Sequence, residues 1–266
     1  MNEPAPSAAG TAIEVQGLQC RYGERVVLEG VSFSVKRGEI FFIIGGNGCG
    51  KSTLLRHMIG LRQPARGTVR YAGRDFSHAA ADGRQALLRT FGVLYQGGAL
   101  WSSMTLQENV ALPLELYTDL TSRQRTEVVN LKLAQVGLAG YNDYFPGELS
   151  GGMQRRAGLA RALALDPAIV FFDEPSAGLD PITSLNLDQL IRQIHATLGT
   201  TIVVVSHELP SIFDLAHRVV LIDRDARGII AEGDPRVLRD TSPNPRVREF
   251  LNRRSSMDGA EGDQKA

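Results

Sequence analysis

The feature that most constrains this chain is an apolar run that ends in a glycine-rich loop and then passes into a helix-forming segment. Ile40–Ile44 is continuously apolar, as expected of a strand buried on both faces of a parallel sheet. Gly45-Gly46-Asn47-Gly48-Cys49-Gly50-Lys51-Ser52 follows, and the stretch from about Lys51 to Ile59 has helical character. The loop fits G-x-x-x-x-G-K-[ST]. A polyphosphate demands several backbone N–H donors converging on its oxygens, and glycines permit the tight wrap and the close approach. The helix behind the loop adds its own N–H groups and the positive end of its dipole. This spacing assigns Lys51 to the β- and γ-phosphates and the Ser52 hydroxyl to Mg2+, with Thr53 continuing the nucleotide-contacting run. The plain alternative is a chance glycine turn, and the strand and helix on its flanks argue against it.

The surrounding pattern predicts where that loop sits. Ile13–Leu18, Val26–Leu28 and Val31–Val35 are short β-type runs separated by Tyr22-Gly23 and Glu29-Gly30, which suggests a small antiparallel layer. Thr68–Tyr71 and Phe91–Tyr95 suggest further strands. Thr105 with Glu108, and Thr121 with Gln124, match capping boxes. Ser150 is expected to open a helix that Asp166-Pro167 stops. Ala168–Asp173 returns to a buried strand, and Pro181–Leu198 is a helix with Asp180 as N-cap and Pro181 at its first position. Ile202–Val205, Val219–Ile222 and Gly228–Ala231 are the remaining strands. The alternation implies an α/β chain with a parallel core, a small antiparallel β layer and a helical insertion around 97–165. Residues 1–11 suggest a loose arm, and Ser255–Ala266 a polar, disordered tail.

Asp173-Glu174 ends an apolar strand, where α/β folds place ligands. An Asp-Glu pair at a strand end is usually no more than solvated charge. The glycine-rich loop upstream shifts the balance toward chemistry, with Asp173 holding Mg2+ through water and Glu174 polarising the attacking water as general base.

Leu149-Ser150-Gly151-Gly152-Met153-Gln154 resembles the signature motif of the ATP-binding-cassette (ABC) ATPases, about twenty residues before the Asp-Glu strand. Physically it is another helix start with a hydroxyl and flexible glycines, a second anion clamp. The resemblance implies a P-loop NTPase fold with a RecA-like parallel sheet core. It also implies a head-to-tail homodimer in which Ser150, Gly151 and Gly152 face ATP held by the second copy. By the same resemblance Tyr22 stacks on adenine, and Gln96 senses Mg2+ and water. Ser176-Ala177-Gly178-Leu179-Asp180 is similar to the D-loop that crosses the dimer interface, with Asp180 near the nucleotide. His207 resembles the switch histidine that contacts the γ-phosphate. The match runs over 12–240, with the core at 12–96 and 166–240 and the helical subdomain at 97–165, which leaves 241–266 as a C-terminal extension.

Composition narrows the partners. The formal net charge is +0, so nothing global points to nucleic acid. No apolar run approaches the ~18 residues of a membrane span, and no secretory pattern is seen at Met1-Asn2-Glu3-Pro4. Two cysteines exclude a disulfide framework and fit a reducing compartment. A single cassette without its own spans implies separate integral membrane permease subunits, and a place on the cytoplasmic face of the inner membrane. Tyr95–Trp101, Glu108–Leu114 and Gly178–Ile182 are similar to cassettes of the MCE-linked phospholipid transporters. That likeness implies an MCE-domain lipid-binding protein and a small regulatory subunit as further partners. Amino-acid importers and lipoprotein-release systems are the nearest competing readings, and a non-transport ATP-switched scaffold or a nucleic-acid ATPase is the reading from another class.

Several residues admit two readings. Trp101 either packs in the helical subdomain or, with Leu100 and Met104, lines a permease groove. Cys49 is either a tolerated small residue or a thiol that sensitises the loop. Arg155 and Arg156 suggest a solvated helix face rather than a nucleic-acid patch. Arg246–Arg254 suggests either a docking helix or a satellite helix packed on the core. His57, His78, His195 and His217 show no metal spacing.

Overall fold

The structure is a computed structural model and describes residues 10–252. The expected polar tail, and all but the last two residues of the expected N-terminal arm, lie outside the described residues. In chain order the elements are β1 (Thr11–Tyr22), β2 (Arg25–Lys36), β3 (Ile40–Gly45), α1 (Lys51–Met58), β4 (Arg66–Tyr71), β5 (Arg74–Asp75), α2 (Ala81–Leu88) and β6 (Phe91–Leu94). There follow α3 (Leu106–Tyr117), α4 (Ser122–Gln135), α5 (Gly151–Ala162), β7 (Ile169–Asp173), α6 (Pro181–Leu198), β8 (Thr201–Ser206) and α7 (Leu209–Leu215). The described chain ends with β9 (Arg218–Asp223), β10 (Gly228–Gly233), α8 (Pro235–Thr241) and α9 (Pro245–Asn252).

Two sheets result. One is antiparallel, in the order β2-β1-β4-β5. The other runs β10-β9-β3-β8-β7-β6, parallel except for the β10 edge. The apolar runs are continuous because both faces of the parallel sheet are covered. Ile40, Phe42 and Ile44 enter one core, shared with helices α3 to α7 and α9. Phe41 and Ile43 enter the other, beneath the antiparallel layer and α1. The same alternation sends Val170 and Phe172 of β7 one way and Ile169 and Phe171 the other. Burying such a side chain contributes roughly 1.5–3 kcal/mol, so exposing either face of these strands is prohibitive. An aromatic cluster of Tyr71, Phe76, Phe91 and Phe171 fills the second core. The Tyr71 hydroxyl donates to the Met58 carbonyl at 2.8 Å and so pins the end of α1.

Local chemistry sets the helix starts. Thr105 and Thr121 both form full capping boxes, and Asp180 accepts from the N–H groups of Ile182 and Thr183. Gly199 in the left-handed region closes α6.

Three expectations are corrected. Val26–Leu28 and Val31–Val35 belong to one strand, because β1 pairs with β2 across the Glu29-Gly30 irregularity. The helix opened by Ser150 ends at Ala162, before Asp166-Pro167. Arg155 is no solvated residue: it is 7% exposed, and its Nη2 donates to the Ala177 carbonyl. The described part of Arg246–Arg254, up to Asn252, falls on α9 and packs Val247 and Leu251 into the first core, as the satellite-helix reading expects. Residues beyond Asn252 lie outside the described part.

Between α6 and α7 the Ser211 hydroxyl donates to Asp188 Oδ2 at 2.6 Å. Burial pushes the Asp188 carboxyl up to about 6. Its unfolded value is near ~3.9, so the proton favours the fold. That contribution is whole below the unfolded value and is lost as pH rises through about 6. Asp188→Asn is therefore expected to raise urea-unfolding stability at pH 8 by on the order of 1 kcal/mol and to change little at pH 4. Denaturation curves at the two pH values check this.

Candidate functional site

The parallel strand order decides what meets what. Neighbours β3, β8, β7 and β6 end on the same edge of the sheet. Gly45, His207, Asp173 with Glu174, and Gln96 stand at or just beyond those ends. Residues far apart in sequence are thus set in a row at the carboxyl edge, where open α/β sheets bind ligands.

At the end of β3 the loop is shaped by steric necessity. Gly45 has φ 150°, and an added Cβ would lie 2.4 Å from the Ile222 carbonyl oxygen. Gly50 has φ 112°, and its Cβ would lie 2.9 Å from Val27. Gly48 takes φ 72° in open space, whereas Gly46 has neither a positive φ nor a close neighbour. Gly50 precedes α1 without a side-chain cap. The first N–H groups of α1 therefore face the loop unsatisfied by any capping oxygen.

A compact charge cluster occupies the same edge. Lys51 is buried, and its Nζ donates to the carbonyls of Gly45 at 2.9 Å and Gly46 at 3.2 Å. It also lies 3.6 Å from Glu174 Oε1. Ser52 Oγ donates to Asp173 Oδ1 at 3.1 Å. Burial, with the neighbouring Glu174 charge, pushes the Asp173 carboxyl up despite the Ser52 hydrogen bond. Glu174 holds φ 48°, in the left-handed region, with its N–H given to the Val205 carbonyl at 2.9 Å. Such a backbone costs of order 1–3 kcal/mol for a residue with a side chain. Glu174 Oε2 lies 2.9 Å from His207 Nδ1 without hydrogen-bond alignment, so both buried atoms face each other unpartnered.

A cleft of about 490 Å3 opens beside this cluster, lined by Tyr22, Arg25, Gly48 to Thr53, Arg224 and Arg227. Tyr22 is 60% exposed, with the Arg62 guanidinium 4.5 Å from its ring centre. Asn47 belongs to the same loop and is exposed. Cys49 is buried, and burial pushes its thiol up, against the opposing influence of Lys51. Both features favour the reading of Cys49 as a small packed residue. Gln96 is exposed and makes no side-chain hydrogen bond among the described residues.

The other expected site residues gather elsewhere. Ser150 Oγ accepts from Met153 N, opening α5. Cβ atoms built on Gly151 and Gly152 would meet Leu179 and Thr183, so the signature glycines pack on the start of α6 beside Asp180. Among the described residues no hydrogen bond or ion pair joins Ser150, Gly151, Gly152 or Asp180 to the phosphate loop. Asp180 uses both carboxylate oxygens in its own helix start. The chain thus carries two separate helix-start sites, one beneath the cleft and one without a facing loop.

The comparison with known proteins follows this geometry. The ABC transporter family matches residues 28–177, more than half of the chain. The chain belongs to the ABC transporter family. As a member it binds and hydrolyses ATP, and cassettes of this family dimerise and work with membrane permeases. It is similar to the "Probable ribonucleotide transport ATP-binding protein mkl" of Mycobacterium tuberculosis, 41% identical over 245 residues, covering 92% of this chain and 67% of that protein. It is also similar to the intermembrane phospholipid transport system ATP-binding protein MlaF of Escherichia coli, 39% identical over 240 residues, covering 90% of this chain and 88% of MlaF. The dimeric structure of the bacterial cassette MJ0796 superposes with a TM-score of 0.76 at 28% identity, over 84% of this chain and 98% of that one. No helix among the described residues is long and apolar enough to cross a membrane.

Two structural residues of the cassette escaped the sequence reading. Asn109 is fully buried, accepts from Trp101 N, and donates to the carbonyls of Trp101, Met104 and Thr105. Its signal was a polar residue inside the apolar stripe of Leu106, Val110 and Leu114. Arg155 left no such signal, since its acceptor is supplied by a distant loop. Trp101 is 60% exposed, which excludes the core-packing reading.

Gly45→Ala is expected to lower the melting temperature of the nucleotide-free protein by several degrees or prevent folding, whereas Gly46→Ala leaves it within a degree or so. Both cysteines are expected to resist alkylation at neutral pH until the chain is denatured, since Cys20 is also buried, with its thiol pushed up to about 12. Thermal melts and mass-spectrometric thiol counting read these outcomes.

Proposed function

We propose that this cassette energises phospholipid transport at the inner membrane of a double-membrane bacterium. The observation that carries the reading is the match to MlaF, which spans 88% of that protein at 39% identity. The match to mkl is slightly higher in identity but spans only 67% of its length. The likeness of 95–101 and 108–114 to MCE-linked cassettes adds to it.

In this reading Tyr22 and Gly45 to Thr53 hold the nucleotide, and Ser52, Asp173 and Gln96 hold Mg2+. The residues fit both groups. The loop has the steric form of a phosphate cradle, and the Ser52–Asp173 oxygen pair is a hard-ligand set beside a carboxyl that a cation would relieve. When bound, Mg2+ neutralises phosphate charge and favours in-line attack. Lys51 exchanges its two backbone carbonyls for phosphate oxygens. Glu174 takes the proton of the attacking water, and His207, set against Glu174 Oε2, orients that carboxylate and meets the γ-phosphate. Ser150, Gly151 and Gly152 complete the site of a second copy in a head-to-tail homodimer, with Asp180 shaping the crossing loop. Residues 12–240 form the ATPase unit, and its helical part at 97–165 faces the permease. Exposed Trp101, with Leu100 and Met104, forms the docking surface. An MCE-domain lipid-binding protein and a small regulatory subunit complete the assembly on the cytoplasmic face.

Glu174→Gln is expected to lower steady ATP hydrolysis at least a hundredfold while stabilising an ATP-bound dimer, read by phosphate release and light scattering. Wild-type turnover in that variant removes Glu174 as the base. A pull-down of tagged Glu174→Gln protein from native membranes with ATP tests the transport reading. It is expected to recover a polytopic permease, an MCE-domain protein and phospholipid. A solute-binding or lipoprotein-handling partner in their place would move the assignment to an importer or a lipoprotein-release system. Trp101→Ala is expected to lose the permease from this pull-down without changing the melting temperature.

A further inference from the structure

The cleft has a second source of positive charge that the phosphate-loop motif does not account for. The turn between β9 and β10 reads Asp223-Arg224-Asp225-Ala226-Arg227, and both arginines line the cleft together with Gly48 to Thr53. By composition this turn is neutral. Its side chains, however, are sorted. Asp223 Oδ1 accepts from the N–H groups of Asp225 at 3.0 Å and Ala226 at 2.8 Å, and from Arg246 Nη1 of α9 at 3.0 Å. The same Arg246 nitrogen lies 3.0 Å from Asp225 Oδ2. Among the described residues, no carboxylate pairs with Arg224 or Arg227. Arg246 of α9 therefore pairs with both acids of the turn, and the turn's two guanidinium groups are left to the cleft.

The turn is also anchored at both ends. At its start, the Ile222 carbonyl oxygen lies where a Cβ on Gly45 would collide. At its far end, the Arg227 carbonyl accepts from Glu29 N of β2 at 2.8 Å, and Arg227 itself takes φ 49°. The loop that bears the arginines is thus tied directly to the phosphate loop and to the strand behind Tyr22. Guanidinium is planar, permanently charged and suited to bidentate contact with phosphate oxygens.

We propose that Arg224 and Arg227 form a second cationic clamp on the phosphate chain of the bound nucleotide, with Arg246 as the positioning residue that holds the turn's carboxylates away. The proposal rests on the reading of this cleft as the nucleotide site. Its attraction grows with phosphate charge, so the clamp favours ATP over ADP and ADP over AMP, and salt screens it.

Equilibrium binding of fluorescent ATP, ADP and AMP analogues to the full chain, at low and high salt, tests the clamp. The double substitution Arg224→Gln with Arg227→Gln is expected to weaken ATP about tenfold and ADP about threefold, to leave AMP unchanged, and to flatten the salt dependence. Lysine at both positions is expected to restore most of the ATP affinity. Arg246→Gln, outside the cleft, is expected to weaken ATP about twofold to threefold by freeing Asp223 and Asp225. Unchanged ATP affinity and salt dependence in the double glutamine variant overturn the clamp. A Lys51→Ala control separates the two ideas. If that control loses ATP while the double variant keeps it, the clamp fails and the cleft reading stands. If neither change affects ATP, the cleft reading fails as well.

Discussion

At Gly45 the chain turns so close to the end of β9 that a single methyl group would sit 2.4 Å from a backbone oxygen. Much of the site depends on that contact. It brings the phosphate loop down onto the sheet edge, tucks Cys49 beneath it and aims α1 across the cleft. The parallel order β3-β8-β7-β6 then supplies the remaining groups from adjacent strand ends. The site is a consequence of sheet topology, with one glycine setting how near its parts come.

The charges at that edge form an unsettled arrangement. Lys51 borrows two backbone carbonyls, and Asp173 is held against its preference for water. Glu174 occupies a strained backbone conformation and faces His207 without a proper hydrogen bond. A fold selected for stability alone would pair such groups or replace them with apolar ones. Their persistence in one place matches a site organised for a highly charged ligand, with strain concentrated where the chemistry is.

Much of this could be read from sequence because local chemistry settles it. Asp180 and Pro181 define the start of α6, Thr105 and Thr121 those of α3 and α4, and the spacing of Gly45 to Ser52 identifies the loop. What could not be read depends on partners remote in the chain. β2 continues through Glu29-Gly30 because β1 pairs with both of its halves. Arg155 is buried because Ala177, twenty-two residues on, supplies its acceptor. Arg224 and Arg227 resemble any exposed arginines until β9 carries them to the cleft. The short helices α2 and α8 bury one residue each, Leu87 and Pro235, too few to impose a visible period.

The loop locked by Asn109 has a mechanical meaning. Four hydrogen bonds to one buried amide leave the backbone around exposed Trp101 stiff before any partner arrives. A pre-stiffened contact loses little conformational freedom on docking, so less of the binding energy is spent on ordering it. Behind the loop, Gly98 and Gly158 approach with backbone against backbone, and Arg161 holds the Gly98 carbonyl at 3.1 Å. The loop that presents Trp101 is thus seated directly on the backbone of α5, with no room at Gly158 for even a methyl group between them.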